Sequence, residues 1–160
     1  MKNRYVKRAG KPARIIVSRI LPGSDLLQSI REIVAEEEIK YGIIFSGVGA
    51  MERVRIRNLK EVPEKYPITD ANRDFRTYDL TCEILTLSGD IYEVEEENLP
   101  QVHVHGTFSF VQDGKVSTVG GHLLPGCIVV GFAEVYTMEI SEIEMIKRFD
   151  EETQTTQLFA

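Results

Sequence analysis

Residues 101–126 read QVHVHGTFSFVQDGKVSTVGGHLLPG and contain all three histidines of the 160-residue chain. Asp113-Gly114 predicts a two-residue β-hairpin turn, because both central residues of a type I′ turn need positive φ and this dipeptide tolerates it. Counting outward from that turn, His105 faces His122 across the hairpin. His103 precedes His105 by two residues and therefore points to the same face. The stretch thus predicts a hairpin that carries three imidazoles on one face.

The three imidazoles are predicted to be close enough to share one metal ion. Opposed Cβ atoms in such a hairpin lie roughly 4.5–5.5 Å apart, and neighbours at i and i+2 lie roughly 6.5–7 Å apart. Ring nitrogens about 2.0–2.1 Å from a common point give a zinc-like geometry. Three nitrogens with an open fourth position are typical of catalytic or ligand-binding sites, whereas structural zinc is usually closed by four ligands, often including Cys.

Two alternatives stay open at this point. The histidines could simply face water on an exposed hairpin. Gly120-Gly121 could also insert a bulge, which would change the register of the two strands.

Length and composition predict one globular domain, with 42% hydrophobic and 28% charged residues. No apolar run approaches the ~20 residues of a membrane span. The basic N-terminus lacks the apolar core of a signal peptide, so a cytoplasmic protein is expected. Cys82 and Cys127 lie in separate apolar segments without a CxxC partner, which favours buried free thiols over a disulfide or metal ligation.

The charge of the chain is uneven. The net charge is -6, yet the first 14 residues contain six Lys and Arg and no acidic residue. Residues 1–13 are therefore interpreted as a basic arm, residues 14–148 as the domain and residues 149–160 as a tail. Such an arm is most often a solvated terminus. Contact with nucleic acid is the alternative, although the acidic body disfavours broad attraction to a phosphate backbone.

The clearest helix is predicted over about residues 24–40. Ser24 or Asp25 can cap its N-terminus by accepting backbone N–H bonds, and Gly42 suits its end. Its apolar stripe follows helical periodicity and consists of Leu26, Ile30, Ile33 and Val34.

Strands are predicted over residues 14–21, 43–46, 53–59, 75–87, 91–94 and 127–140, with 141–148 extending the sheet. Residues 46–50, SGVGA, lack the pattern of a phosphate loop and indicate a tight turn or a close backbone approach. Residues 88–90 indicate a turn. Residues 60–74 indicate a long loop, which is uncommon in a compact domain unless it covers another part of the protein. Residues 150–157 indicate a loose polar segment. Hairpins without βαβ units predict an α+β fold, with a mainly antiparallel sheet and the helix packed on it.

Two further patterns concern charged side chains on strands. Residues 53–59 alternate strictly, with Arg53, Arg55 and Arg57 on one face, which could bind an anion or form a solvated or oligomer-facing edge. Glu134 lies inside an apolar strand, where an acid either faces outward or is held by a partner.

Several short motifs occur together in one order. They are LPGSD at 21–25, FSGVG at 45–49, EILTLSG at 83–89, HVH at 103–105, the turn at 113–114, GGHL at 120–123 and AEV at 133–135. Together they resemble the PPC (plants and prokaryotes conserved) domain over roughly residues 14–140.

The resemblance implies a curved antiparallel sheet with a helix, assembled as a homotrimer. The implied fold is similar to that of acetolactate decarboxylase, a metalloenzyme whose metal is held by three histidines. In free-standing prokaryotic members the HxH and GGH histidines form a zinc site, and they correspond to His103, His105 and His122. Plant members carry AT-hooks before the domain. Residues 8–12, RAGKP, depart from the AT-hook pattern, so the chain is expected to be of the free-standing prokaryotic type.

Two functions are therefore weighed. The first is a homotrimeric protein that binds Zn²⁺ or another divalent transition metal and acts as a small-molecule enzyme or ligand sensor. Glu134 and Glu83 are its candidate acids, and Arg55 and Arg57 are candidate ligands for a small anion. The second is a DNA-binding regulatory protein that acts through its basic arm and the trimer.

Overall fold

The computed structural model describes residues 4–95, 97 and 99–159. It contains one α-helix, α1, at Leu26–Glu36, and a short 3-10 helix at Asp70–Asn72. The strands are β1 Lys11–Ile20, β2 Gly42–Leu59, β3 Arg73–Tyr78, β4 Cys82–Val94, β5 Gln101–Gln112, β6 Lys115–Leu123, β7 Ile128–Ser141, β8 Ile146–Asp150 and β9 Thr155–Leu158. The predicted α+β fold, mainly antiparallel with one helix on the sheet, is confirmed.

The sheet closes on itself around β2. Strands β4, β5 and β6 pair in sequence, and both β4 and β6 also pair with β2. Strands β7 and β1 extend the sheet from the edge of β2 opposite β4, while β3 pairs with the C-terminal half of β2 on the edge opposite β6. Among the described strands, β4 and β8 make the one parallel pair. Each strand therefore has an inner face toward the core and an outer face toward the surroundings.

The core fills the inner faces and the underside of the helix. Phe108, Ile56 and Leu123 are almost fully buried inside the closed part of the sheet. The helix covers the core with its predicted apolar stripe, of which Ile30 and Val34 are 1% exposed. Because alternate residues of β5 are buried, the residues between them, including the histidines, must lie on the outer face.

The helix is shorter than predicted. Asp25 caps it, since its Oδ1 accepts the backbone N–H of Gln28 at 3.0 Å. Glu38 has a φ of 54°, and the N–H of Ile39 donates to the carbonyl of Val34 at 3.0 Å. This Schellman-type ending stops the helix at Glu36, well before the expected Gly42.

Two predicted turns are absent, because strands β2 and β4 run straight through them. The close backbone approach expected at residues 46–50 is confirmed. A Cβ on Gly47 would clash with Leu87, and one on Gly49 would clash with the carbonyl of Phe132. Residues 88–90 also lie within a strand, where a Cβ on Gly89 would clash with the carbonyl oxygen of His103. Glycine at these positions lets strands approach closely and does not break them.

Several strand boundaries differ from the predicted ones. Strand β1 begins at Lys11. The predicted strand over 75–87 is divided, since β3 ends at Tyr78 and β4 starts at Cys82. Residues 150–157, expected to be loose, contain most of β9, which pairs with β8 as a C-terminal hairpin. Residues 1–3 of the predicted arm and residue 160 of the predicted tail lie outside the described residues.

Both cysteines are buried free thiols, as predicted. None of the helices that the structure describes is long and apolar enough to cross a membrane.

Candidate metal centre and its anion clefts

The β5–β6 hairpin has the predicted register. Asp113 and Gly114 adopt φ values of 52° and 71°, which is the positive φ pair of a type I′ turn. His105 pairs with His122, and the ladder continues through Gly120-Gly121 without a bulge. The water-facing alternative must therefore be judged on how closely the rings approach.

The three imidazoles converge. One nitrogen from each of His103, His105 and His122 lies within 4.8 Å of the other two, and the Nε2 atoms of His103 and His105 are 3.0 Å apart. Two nitrogens that bind one zinc ion tetrahedrally lie about 3.3 Å apart, given bonds of ~2.0–2.1 Å. The donor set thus fits a divalent transition metal, with three nitrogens on one side and the cleft on the other.

The surroundings keep two of these rings neutral. Burial, reinforced by the nearby Arg57 guanidinium, lowers the pKa of His122 to about 3. Burial and the neighbouring His103 and Arg57 also lower the pKa of His105. A neutral imidazole keeps the lone pair that a metal requires, so both rings are ready to act as ligands at neutral pH.

Asp90 orients the third ring. Its Oδ1 lies 3.2 Å from Nδ1 of His103, and its Oδ2 lies 2.9 Å from Nζ of Lys147. Burial alone would raise the pKa of Asp90, but the hydrogen bonds to His103 and Lys147 outweigh it and lower that pKa. The carboxylate holds Nδ1 of His103 and leaves Nε2 facing the other histidines. Metal-binding histidines commonly show this carboxylate arrangement.

Two clefts open on this cluster, and both are lined by His103, His122 and Arg57. The first cleft has a volume of about 260 Å³ and is also lined by Asn58, Leu59, Ile68, Arg73 and His105. The second cleft has a volume of about 430 Å³ and is also lined by Arg31, Tyr92, Val94, Glu97, Gln101, Val102, Lys147 and Thr156. Ile68, from the predicted loop at residues 60–74, and Arg73, the first residue of β3, thus line the first cleft.

Of the two arginines proposed to hold an anion, the structure brings one to the site. Arg57 pairs with His122 across β2 and β6. Arg55 lies outside both clefts, where its Nη1 donates to the carbonyl of Pro125 at 2.7 Å.

Neither candidate acid lies beside the histidines. Glu83 pairs with Ser109, four residues beyond His105, or about 13 Å along the strand at ~3.3 Å per residue. Glu134 pairs with Val48 on β2, nine residues from Arg57 and so about 30 Å away along that strand. Glu134 instead accepts a 3.4 Å hydrogen bond from the Tyr136 hydroxyl.

Sequence reasoning missed Asp90, Arg73, Arg31 and Lys147. Asp90 was assigned to a turn, although reading residues 83–94 as one strand would have placed it on an outer face. No local pattern could have placed the other three, because each comes from a different element.

Solved structures of several proteins share the fold. A metal-containing protein from Archaeoglobus fulgidus superposes with a TM-score of 0.75 at 24% identity, covering 98% of this chain and all of that one. A plant- and prokaryote-conserved protein from Pyrococcus horikoshii gives 0.72 at 20% identity, covering 95% and 96%. A candidate DNA-binding protein from Bacteroides thetaiotaomicron gives 0.71 at 19% identity, covering 93% and 96%.

Curated relatives are much longer than this chain. Two bifunctional GlmU proteins from Synechococcus strains are 29% and 28% identical over 140 residues, which is 88% of this chain but 19% of their own length. The chain therefore corresponds to about a fifth of each. The profile of the Plants and Prokaryotes Conserved (PCC) domain, in contrast, matches residues 7–141. The fold and the motifs agree with that match, and the chain belongs to the Plants and Prokaryotes Conserved domain family.

Proposed function

We propose that this protein binds a divalent metal, Zn²⁺ or a similar transition metal ion, through His103, His105 and His122, and presents it to a small anionic ligand. The observation that carries the proposal is the convergence of three imidazole nitrogens within 4.8 Å. The metal-containing relative from Archaeoglobus fulgidus supports it.

The residues present fit such an ion. Three neutral nitrogen donors suit zinc and its neighbours, and an incomplete donor set leaves room for a ligand. A bound ion of this kind supplies a Lewis acid that polarises an oxygen-containing group.

The chain's own residues supply binding and orientation. Asp90 is placed to orient His103, since its Oδ1 lies 3.2 Å from Nδ1 of that ring. Arg57 lines both clefts and, among the described residues, forms no ion pair within 4 Å. It is thus available to attract an anion. Asp90 is held by two partners and is poorly placed to move a proton, so we assign ligand binding ahead of turnover.

We infer that the domain assembles as a homotrimer. Apolar side chains on the outer face of β1, β2 and β7 are unusually accessible for their size: Ile15 62%, Val17 61%, Phe45 46%, Val48 44% and Phe132 44%. Exposed apolar side chains grouped on neighbouring strands are typical of a protein interface. Sedimentation should give three times the chain mass of 18.2 kDa. A single-chain mass at micromolar concentration would contradict the trimer.

The cytoplasmic location stays a prediction.

The test of the metal site is the zinc content of untagged protein, measured by elemental mass spectrometry after reconstitution and dialysis. We expect about one zinc per chain in the wild type and its loss in His105→Ala. Thr107→Ala is the matched control, because Thr107 is the next outward-facing residue on β5. Full occupancy in His105→Ala would contradict the ligand assignment, and no zinc in the wild type would contradict the function.

DNA binding is the second candidate, favoured by the candidate DNA-binding relative and by the basic arm. Three of the arm's cations have intramolecular partners, however. Arg4 pairs with Glu152 at 3.0 Å, Lys11 pairs with Glu142 at 2.9 Å, and Arg8 lies over the ring of Phe159. Such exposed ion pairs contribute little to stability and could exchange for phosphates.

Deletion of residues 1–10, which ends just before β1, separates the two functions. If the arm binds DNA, affinity should fall steeply with salt and disappear on deletion, while zinc content stays unchanged. DNA affinity that survives the deletion would contradict a role for the arm.

A further inference from the structure

The second cleft is walled by a part of the chain that lies outside the family match. That match ends at residue 141, whereas Lys147 and Thr156 enter the cleft from β8 and β9. The C-terminal hairpin is held in place by parallel pairing of Glu93 with Ile146 on β4 and β8. The hairpin is therefore a fixed wall beside His103 and His122.

Lys147 is anchored within this wall. Its Nζ lies 2.9 Å from Oδ2 of Asp90 and 3.4 Å from the centre of the Tyr92 ring, and its side chain is 14% exposed. Because it neutralises Asp90, the carboxylate that orients His103 does not repel an anion from the cleft. Glu97 also lines the cleft and contributes one negative charge to it; its Oε2 accepts a hydrogen bond from the Gln101 amide at 2.6 Å.

Cations lie on both sides of the histidines. The first cleft contains Arg73 and Arg57, and the second contains Arg31 and Arg57. Arg31, like Arg57, has no carboxylate within 4 Å in the part of the chain that the structure describes. In a chain of net charge -6, two cations without a carboxylate partner among the described residues, Arg31 and Arg57, indicate a site for negative charge. Arg73, in contrast, is paired with Asp70 at 2.9 Å.

We propose that the site takes a small organic dianion, with one acidic group held at Arg57 beside the histidines and the other held at Arg31 under the C-terminal hairpin. The shared chemistry is that of a dicarboxylate or a phosphorylated carboxylic acid. A volume of about 430 Å³ falls within the range of small-molecule pockets, roughly 300–1,000 Å³. The inference rests on the proposed function, since it names the ligand class of the same centre.

Isothermal titration calorimetry at low ionic strength tests this with three probes: acetate with one carboxylate, succinate with two, and phosphoglycolate with a carboxylate and a phosphate. Zinc-loaded and chelator-treated, dialysed proteins are both titrated. At least one dianion should bind on the order of tenfold or more tightly than acetate, because a charge-assisted contact is added. The tighter of succinate and phosphoglycolate identifies the second acidic group.

Arg31→Gln should reduce dianion binding to the level of acetate and leave acetate binding unchanged. Arg148→Gln is the matched control. Arg148 follows Lys147 on β8 and pairs with Glu95 at 2.8 Å, so removing its charge should change neither ligand. Circular dichroism and melting of each variant report whether it is folded.

No preference for dianions, or a preference that survives Arg31→Gln, overturns the inference. Zinc measured in the same samples separates this failure from that of the proposed function. If the protein binds stoichiometric zinc but shows no preference for dianions, only the dianion site is refuted. If the protein never retains zinc but still prefers dianions, the metal site is refuted and the anion site is supported.

Discussion

Replacing Asp90 should weaken zinc binding without removing any nitrogen ligand. Oδ1 of Asp90 lies 3.2 Å from Nδ1 of His103, and its Oδ2 lies 2.9 Å from Nζ of Lys147. Loss of such an orienting carboxylate typically costs about 10–100-fold in metal affinity, or roughly 1.4–2.8 kcal/mol. Asp90→Asn keeps an oxygen near Nδ1 and loses the charge, so we expect about tenfold. Asp90→Ala loses both, so we expect close to a hundredfold.

The assay is a competition titration against a chromophoric chelator of known zinc affinity at pH 7.5. Ser88→Ala is the matched control, because Ser88 pairs with His105 on the same outer face and forms no side-chain hydrogen bond to any described residue. Melting of the metal-free variants shows whether the loss of Lys147's partner disturbs the fold. Affinity of Asp90→Ala within about twofold of the wild type would refute the orienting role.

Three further outcomes are expected. Because the pKa of His122 is about 3 in the folded chain against 6.5 ordinarily, the unfolded state binds more protons below pH 6.5. The melting temperature of the metal-free protein should therefore fall as the pH is lowered from 6.5 toward 4, and it should fall less in His122→Gln. An equal dependence of melting temperature on pH in the two proteins would contradict this. Burial raises the pKa of Cys127 to about 11 and also raises that of Cys82, so a thiol reagent at pH 7.5 should label neither until the chain is denatured; rapid labelling of the native protein would contradict their burial. Phe108→Ala should lower the free energy of unfolding by about 3–5 kcal/mol, whereas Val111→Ala, at a position 70% exposed, should change it by less than about 0.5 kcal/mol in urea titrations; similar losses would refute the core assignment.

The histidine hairpin was predictable because everything that specifies it is local. Asp113-Gly114 accepts the positive φ that the turn requires, and the two-residue turn sets which residues face each other. Alternation along β5 then determines that His103 and His105 share a face. The N-cap at Asp25 is equally local, since its partner Gln28 is three residues away.

Glycines on β2 and β4 show where local reasoning stops. A glycine in a strand-like segment suits a turn as well as a close approach of two strands. The choice at Gly47 and Gly89 depends on Leu87 and on the carbonyl of His103, which are distant in sequence. Interpreting residues 88–90 as a turn also prevented the prediction of Asp90 as a site residue, because the alternation of side chains between two faces applies to a strand and not to a turn.

The chain's own sequence therefore determined the three-histidine cluster proposed to bind a metal, while the tertiary structure decided what surrounds it. Asp90 lies on β4, which pairs directly with β5, whereas Arg57 and Lys147 come from β2 and β8, which are distant from the hairpin in sequence. No tight turn joins β2 or β8 to the hairpin, so no turn sets their position relative to it. Their positions follow from the pairing of whole strands around a shared core. The ligand class proposed for this site depends on those residues, and for the same reason it follows from the folded chain and not from any local pattern.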